Sequence, residues 1–217
     1  MRINAKALIA LIACVVIAGS AFAATVTVNQ ATMVNGYMNV YELDNTYLWG
    51  SGWGIADLCA VFSAGNVTLS PNTIGDPAPY WYIGGGAAGN PGNKLMYADL
   101  YAQVDDGSLA GQSVTFTGTV LANTFTSAHV AKAFVRDFDP GYGSFNQSII
   151  NLPASGDFSV TLATVNDPAR HVQYGFETIG ACVWFTDLAP FGSVTIAPLQ
   201  PVPSETSTFG GVKALFR

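Results

Sequence analysis

The sequence predicts an all-β fold, an antiparallel jelly-roll β-sandwich. Three observations lead there. Short runs of alternating apolar and polar residues recur along the chain, separated by turn signals rich in Gly, Pro, Asn and Asp. No stretch inside residues 24–197 carries a convincing helical period, and no internal repeat is visible. Hydrophobic residues make up 50% and charged residues only 10%, with 23 glycines and 11 prolines, which suits many turns and neither a helical bundle nor a disordered chain.

The N-terminus predicts export. Arg2 and Lys6 precede an apolar run over residues 7–18, and Ala21-Phe22-Ala23 places small residues for cleavage before Ala24. The run is too short and wrongly flanked for a spanning helix. A lipoprotein reading would acylate Cys14, but Val15-Val-Ile continues the apolar run past it. Cleavage leaves 194 of the 217 residues and takes the net charge from −6 to −8 through loss of Arg2 and Lys6. That length suits one β domain over residues 24–197, and no later run is long enough to span a membrane. A chain poor in Lys and Arg offers no basic stripe for nucleic acid.

The elements follow in order. Thr25-Val-Thr-Val opens the first strand, and residues 36–41 alternate as a second. Residues 47–54, Tyr-Leu-Trp-Gly-Ser-Gly-Trp-Gly, read as a loop because glycine and serine interrupt them. Residues 55–63 read as one buried strand, returned by Asn66-Val-Thr-Leu-Ser after Ala64-Gly65. Residues 71–93 form the longest irregular segment, and such loops in compact domains are often functional. Residues 94–104, 113–121 and 129–138 are further strands, and residues 148–152 and 158–162 flank a Pro-Ala-Ser-Gly turn. Residues 171–187 hold a His, a Glu, a Cys and a Trp together, and read as a core hairpin of two strands hinged at Gly180. In that reading Gly175 interrupts any common face for His171, Gln173 and Glu177, so chemistry is expected in the loops. Residues 192–197 close the domain. Residues 198–217 read as a Pro-rich linker and a short tag, with Phe209, Val212, Leu215 and Phe216 on one helical face that Ser207 could cap.

Catalytic signatures are scarce. Gly84-Gly-Gly86-Ala-Ala-Gly89 matches a dinucleotide pattern literally, but Asn90-Pro91-Gly92 cannot open the helix that pattern needs, so the run reads as a flexible loop. There is no Gly-x-Ser-x-Gly elbow and no His-Glu-x-x-His zinc motif. Glu177 could pair with an Asp as in glycosidases, which spacing alone does not show. The chain is therefore expected not to be an enzyme.

Three site expectations remain. The loop aromatics Trp49, Trp53, Tyr80, Trp81 and Tyr82 suit stacking on the apolar faces of sugars, against the alternative that they cover the ends of the core. Asp137, Asp139 and Asp167 offer oxygen ligands for a structural calcium, against the alternative of hydrogen-bonded Asp turns; no other cofactor is expected. Cys59 and Cys182, the two cysteines left after cleavage, are expected as a disulfide, against two buried thiols.

Tyr37-Met-Asn-Val, Trp53-Gly-Ile-Ala-Asp-Leu, Asp76-Pro-Ala-Pro-Tyr-Trp-Tyr, Ala128-His-Val-Ala-Lys-Ala-Phe-Val-Arg-Asp-Phe and His171-Val-Gln-Tyr-Gly-Phe-Glu resemble secreted, largely uncharacterised bacterial sandwich proteins. Several of those look like galactose-binding-type jelly rolls or carbohydrate-binding modules, and some carry exosortase-type anchoring tails. The resemblance covers most of residues 30–197 and implies the fold, export and, more weakly, sugar binding. The tail departs from the exosortase pattern, lacking Pro-Glu-Pro, a spanning helix and a terminal Arg cluster. Thr208-Phe-Gly-Gly-Val-Lys-Ala-Leu-Phe-Arg instead looks like short C-terminal tags on other exported bacterial proteins, which implies docking to a surface or sorting partner.

Taken together, the expectation is an extracellular or cell-surface protein that binds a glycan or surface polymer through loop aromatics. The alternative is a structural or adhesive protein of the cell surface or matrix.

Overall fold

The computed structural model describes residues 23–199, so the expected signal peptide up to Phe22 and the linker and tag from Gln200 onward lie outside the described residues. Twelve strands run along that span. The first six are β1 (Ala23–Thr27), β2 (Asn35–Tyr41), β3 (Tyr47–Gly52), β4 (Ala60–Ser63), β5 (Asn66–Leu69) and β6 (Leu95–Val104). The rest are β7 (Ser113–Asn123), β8 (His129–Phe138), β9 (Phe145–Asn151), β10 (Gly156–Ala163), β11 (His171–Ala181) and β12 (Val194–Ala197).

Eight of these form a jelly roll. β5 pairs with β12, β6 with β11, β7 with β10 and β8 with β9, all antiparallel and nested like one long hairpin. Rolling that hairpin brings β12 beside β7 and β11 beside β8. The first sheet then reads β5-β12-β7-β10 and the second β6-β11-β8-β9, the two-sheet arrangement of the jelly roll. β4 extends the first sheet, and β2 and β3 extend the second beyond β6. One pair departs from the antiparallel expectation: β1 lies parallel to β7.

Alternation decides what each strand buries. On β6, Met96, Ala98, Leu100 and Ala102 point between the sheets, and on β11 Val172, Tyr174 and Phe176 do the same. Phe116 of β7 meets Phe158, Tyr174 and Phe176 at centroid distances of 5.2–5.5 Å and so joins the two sheets. Gly118 stands opposite Phe158 and leaves room for its ring; a Cβ there would lie 2.7 Å from it. Burying each such ring stabilises the fold by roughly 1.5–3 kcal/mol. On the outer face of the first sheet, Thr115 and Thr161 pair their hydroxyls across β7 and β10 at 2.9 Å.

Four local expectations are corrected. Residues 47–52 form β3, because its backbone pairs with β2 despite the glycines. Residues 55–63 are not one strand: Ile55–Leu58 is a 3-10 turn, and Cys59 sits in the left-handed region at φ 55° before β4. Residues 171–181 form a single strand, with Gly180 lying against the His129 ring, which occupies the space a side chain would need. The glycine run at 84–89 is packed: Gly86 lies against Trp184 and Pro77, and Tyr82 bridges to Gly92 to close the loop.

Candidate functional site

The site with most chemistry is a groove of about 840 Å³ on the outer face of the second sheet. Its floor comes from strand positions that alternate with the core. β2 contributes Asn35, Tyr37, Asn39 and Tyr41, and β6 contributes Tyr97, Asp99, Tyr101 and Gln103. β11 adds Gln173 and Glu177, while β8 adds Lys132, Arg136 and Phe138. Phe145, Gln147 and Ile149 of β9, with Tyr142 from the preceding turn, form the far wall. From β2 to β9 the floor crosses five strands, about 19 Å at the usual strand spacing.

At its centre Arg136 holds two carboxylates. Its Nη1 donates to Asp99 Oδ2 and its Nη2 to Glu177 Oε2, both at 2.7 Å, and its Nε donates to Gln147 Oε1 at 3.3 Å. The register explains the reach. Arg136 stands opposite Gln173, and Glu177 lies four residues further along β11, with Gly175 between. Gly175 carries no side chain to compete with Phe134 opposite it, and the guanidinium lies over the Phe134 ring at 3.8 Å. Thus Gln173, Gly175 and Glu177 do share one face, and Gly175 opens that face where it was expected to interrupt it. The His171–Ala181 strand supplies part of the site floor as well as the core.

Asp99 stands directly opposite Glu177 in the β6–β11 register. Burial pushes the Asp99 carboxyl up to about 7; Arg136 opposes that rise and Glu177 adds to it. Asp99 Oδ1 is buried with no hydrogen-bond partner among the described residues. Lys132 approaches the outer side of Glu177 at 3.8 Å.

At the far end the groove is closed by stacking. The Tyr142 ring lies parallel to His171 at 4.3 Å, and His171 Nδ1 meets Asp105 Oδ1 at 2.7 Å. Gln103 donates to both Asp105 and Tyr142 at 2.9 Å. The Gln103 bond, and after it His171, lowers the Asp105 carboxyl. Tyr142 is presented by a turn built on Asp139, whose carboxylate accepts bonds from Gly141, Gly143 and Ser144 and is lowered to about 2 by them.

The expected site residues lie elsewhere. Trp49, Trp53, Tyr80 and Trp81 pack on one another: Trp49 stacks on Trp53 at 6.5 Å and meets Trp81 edge-on at 6.1 Å, and its Nε1 donates to Tyr80 Oη at 2.9 Å. The three indoles also rest against the core. Tyr82 must be struck from the ligand set, because it is fully buried and its hydroxyl bonds the backbone of Ile74.

The three expected calcium ligands are not brought together. Asp137 is buried and its two oxygens go to Arg170 and to the Val165 amide, while Asp167 caps Ala169. Asp139 is spent on its own turn, and no group of three or more His, Cys, Asp or Glu side chains among the described residues is placed to hold a metal ion. These residues do not fit a calcium.

The disulfide is likewise not formed. Cys59 and Cys182 are free thiols, and Cys182 donates to Tyr82 Oη at 3.1 Å. Burial raises both thiols.

Glu177 does face another carboxylate, as a glycosidase pair would require, but in the wrong relation. Glycosidase carboxyls stand roughly 5–9.5 Å apart so that a sugar bond fits between them. Asp99 and Glu177 instead both bond one guanidinium, which stands between them.

No model of a known protein family matches the chain, and neither does any curated protein. A solved structure of carbohydrate-binding modules from the β-sandwich superfamily is similar over 76% of this chain and 72% of that one, with 11% identity and a TM-score of 0.33. A likeness at that level carries no argument, and the jelly roll rests on the strand pairing. Among the described residues no helix is long and apolar enough to cross a membrane.

Proposed function

We propose that this chain is an exported glycan-binding protein whose ligand lies in the groove of the second sheet and is not transformed there. The observation that carries the reading is the composition of one sheet face. Five tyrosines and five carboxamides line it: Tyr37, Tyr41, Tyr97, Tyr101 and Tyr142 with Asn35, Asn39, Gln103, Gln147 and Gln173. Sugars present apolar CH faces to aromatic rings and hydroxyls to groups that both donate and accept. Rings and polar side chains alternate along β2 and β6, on strands that hold them fixed. Rigid placement lowers the ordering cost of binding. A panel of immobilised polysaccharides tests it. The chain is expected to bind at least one, and Tyr101→Ala to weaken that binding while Trp49→Ala leaves it unchanged. Binding lost with Trp49 and kept without Tyr101 would return the site to the loops.

A second reading, assembly on a surface, is favoured by one strand. β9 is a sheet edge of seven residues, Phe-Asn-Gln-Ser-Ile-Ile-Asn, with no charge and no proline to block pairing. Charging that edge with Ser148→Lys should abolish self-association if it exists, as read by light scattering.

A further inference from the structure

We infer that the groove selects uncharged, hydroxyl-rich glycans and rejects acidic ones, and that the Asp99–Glu177 pair makes this selection. This rests on the glycan reading of the groove and deepens it.

The argument is one of charge left over. The groove lining contains two cations, Arg136 and Lys132, and two carboxylates, Asp99 and Glu177. Arg136 spends Nη1 on Asp99, Nη2 on Glu177 and Nε on Gln147, and its face is covered by Phe134. Lys132 is already beside Glu177. Neither cation in the lining is left without a carboxylate. A uronate or sulfate ester entering the groove would therefore find no unpaired cation to meet it.

It would find a carboxyl oxygen without a donor instead. Asp99 is 4% exposed, and its Oδ1 has no partner among the described residues although it belongs to the lining of the groove floor. Like charges brought together in a partly dry site are costly. A hydroxyl avoids that cost: it donates to a carboxyl oxygen and accepts from a carboxamide such as Gln173 or Gln147. The net charge of −6 over the whole chain disfavours a polyanion further, and that long-range part is removed by salt while the local part remains.

The test compares neutral polysaccharides (a β-glucan, a xylan, a galactomannan) with acidic ones (polygalacturonate, alginate) at low and moderate salt. The wild-type chain is expected to bind its best neutral polymer at least about tenfold more tightly than either acidic one. Asp99→Asn keeps the shape, removes one carboxylate and leaves Arg136 with charge to spare. It should bring the acidic polymers about tenfold closer to the neutral one. Glu177→Gln is the second variant, should a thermal melt show Asp99→Asn to be unfolded. Acidic polymers bound as tightly as neutral ones by the wild type would overturn the inference and leave the glycan reading standing. Unchanged preference in both folded variants would overturn the role of the pair. Failure of every polymer to bind the wild type would overturn the glycan reading itself.

Discussion

Asp99 and Glu177 face each other across β6 and β11, and the Arg136 guanidinium closes on both at 2.7 Å. The three side chains are each about nine-tenths buried or more. Removing the cation from such a group strands two carboxylates where water reaches them poorly. Arg136→Met is expected to cost about 3–5 kcal/mol of stability in urea unfolding, because an uncompensated buried charge costs more than the pair itself contributes. Arg136→Lys should recover only part of it, since an ammonium cannot bond both carboxylates with a planar fork.

The same pair sets a pH dependence. The Asp99 carboxyl is raised from 3.8 to about 7, so the folded chain holds a proton there that the unfolded chain has released. Its contribution is fully present below about pH 3.8 and is lost as pH rises through about 7. The urea midpoint should therefore fall between about pH 4 and about pH 7, and Asp99→Asn should flatten that slope. Asp139, lowered to about 2, acts with the opposite sign, and its contribution is lost only as pH falls from 3.8 towards 2.

Gly175 leaves no room for a side chain. A Cβ there would run into Leu100 O and lie 2.7 Å from Tyr101 Cα, both backbone atoms that cannot turn aside. Gly175→Ala is expected to destabilise by about 1–3 kcal/mol, the usual range for overpacking. It should also weaken glycan binding, because Tyr101 is displaced with its strand. Equal stability of the variant and the wild type by thermal melt would contradict this.

Cys59 and Cys182 provide a check on the interior. Both thiols are free, and burial with Tyr82 as partner leaves Cys182 fully inaccessible. A thiol reagent added to the folded chain should leave Cys182 unmodified, and unfolding should release both cysteines without any reductant. A pair of residues recovered only after reduction would show them bonded.

The fold was legible because its signal is local. Alternation along residues 113–121, or 94–104, follows from one face of each strand meeting the core, and glycine-rich turns mark where the chain changes sheet. β3 was hidden because glycines carry no alternation, and pairing with β2 holds its backbone regardless. The groove was hidden for a different reason: its residues come from five strands whose order in the sheet is not their order in the chain. A signal did exist. The non-core positions of β2 read Asn35, Tyr37, Asn39, Tyr41 and those of β6 read Tyr97, Asp99, Tyr101, Gln103, far richer in tyrosine than an ordinary solvent face. The loop indoles drew attention because they are large and flanked by glycine, whereas mutual packing accounts for their positions.

The most direct test follows the aromatic ring signals by NMR while a bound oligosaccharide is titrated in. The groove predicts that the ring resonances of Tyr37, Tyr97 and Tyr101 move with ligand while the indole N–H signals of Trp49, Trp53 and Trp81 stay in place. Indole signals that move while those tyrosines stay unchanged would contradict it.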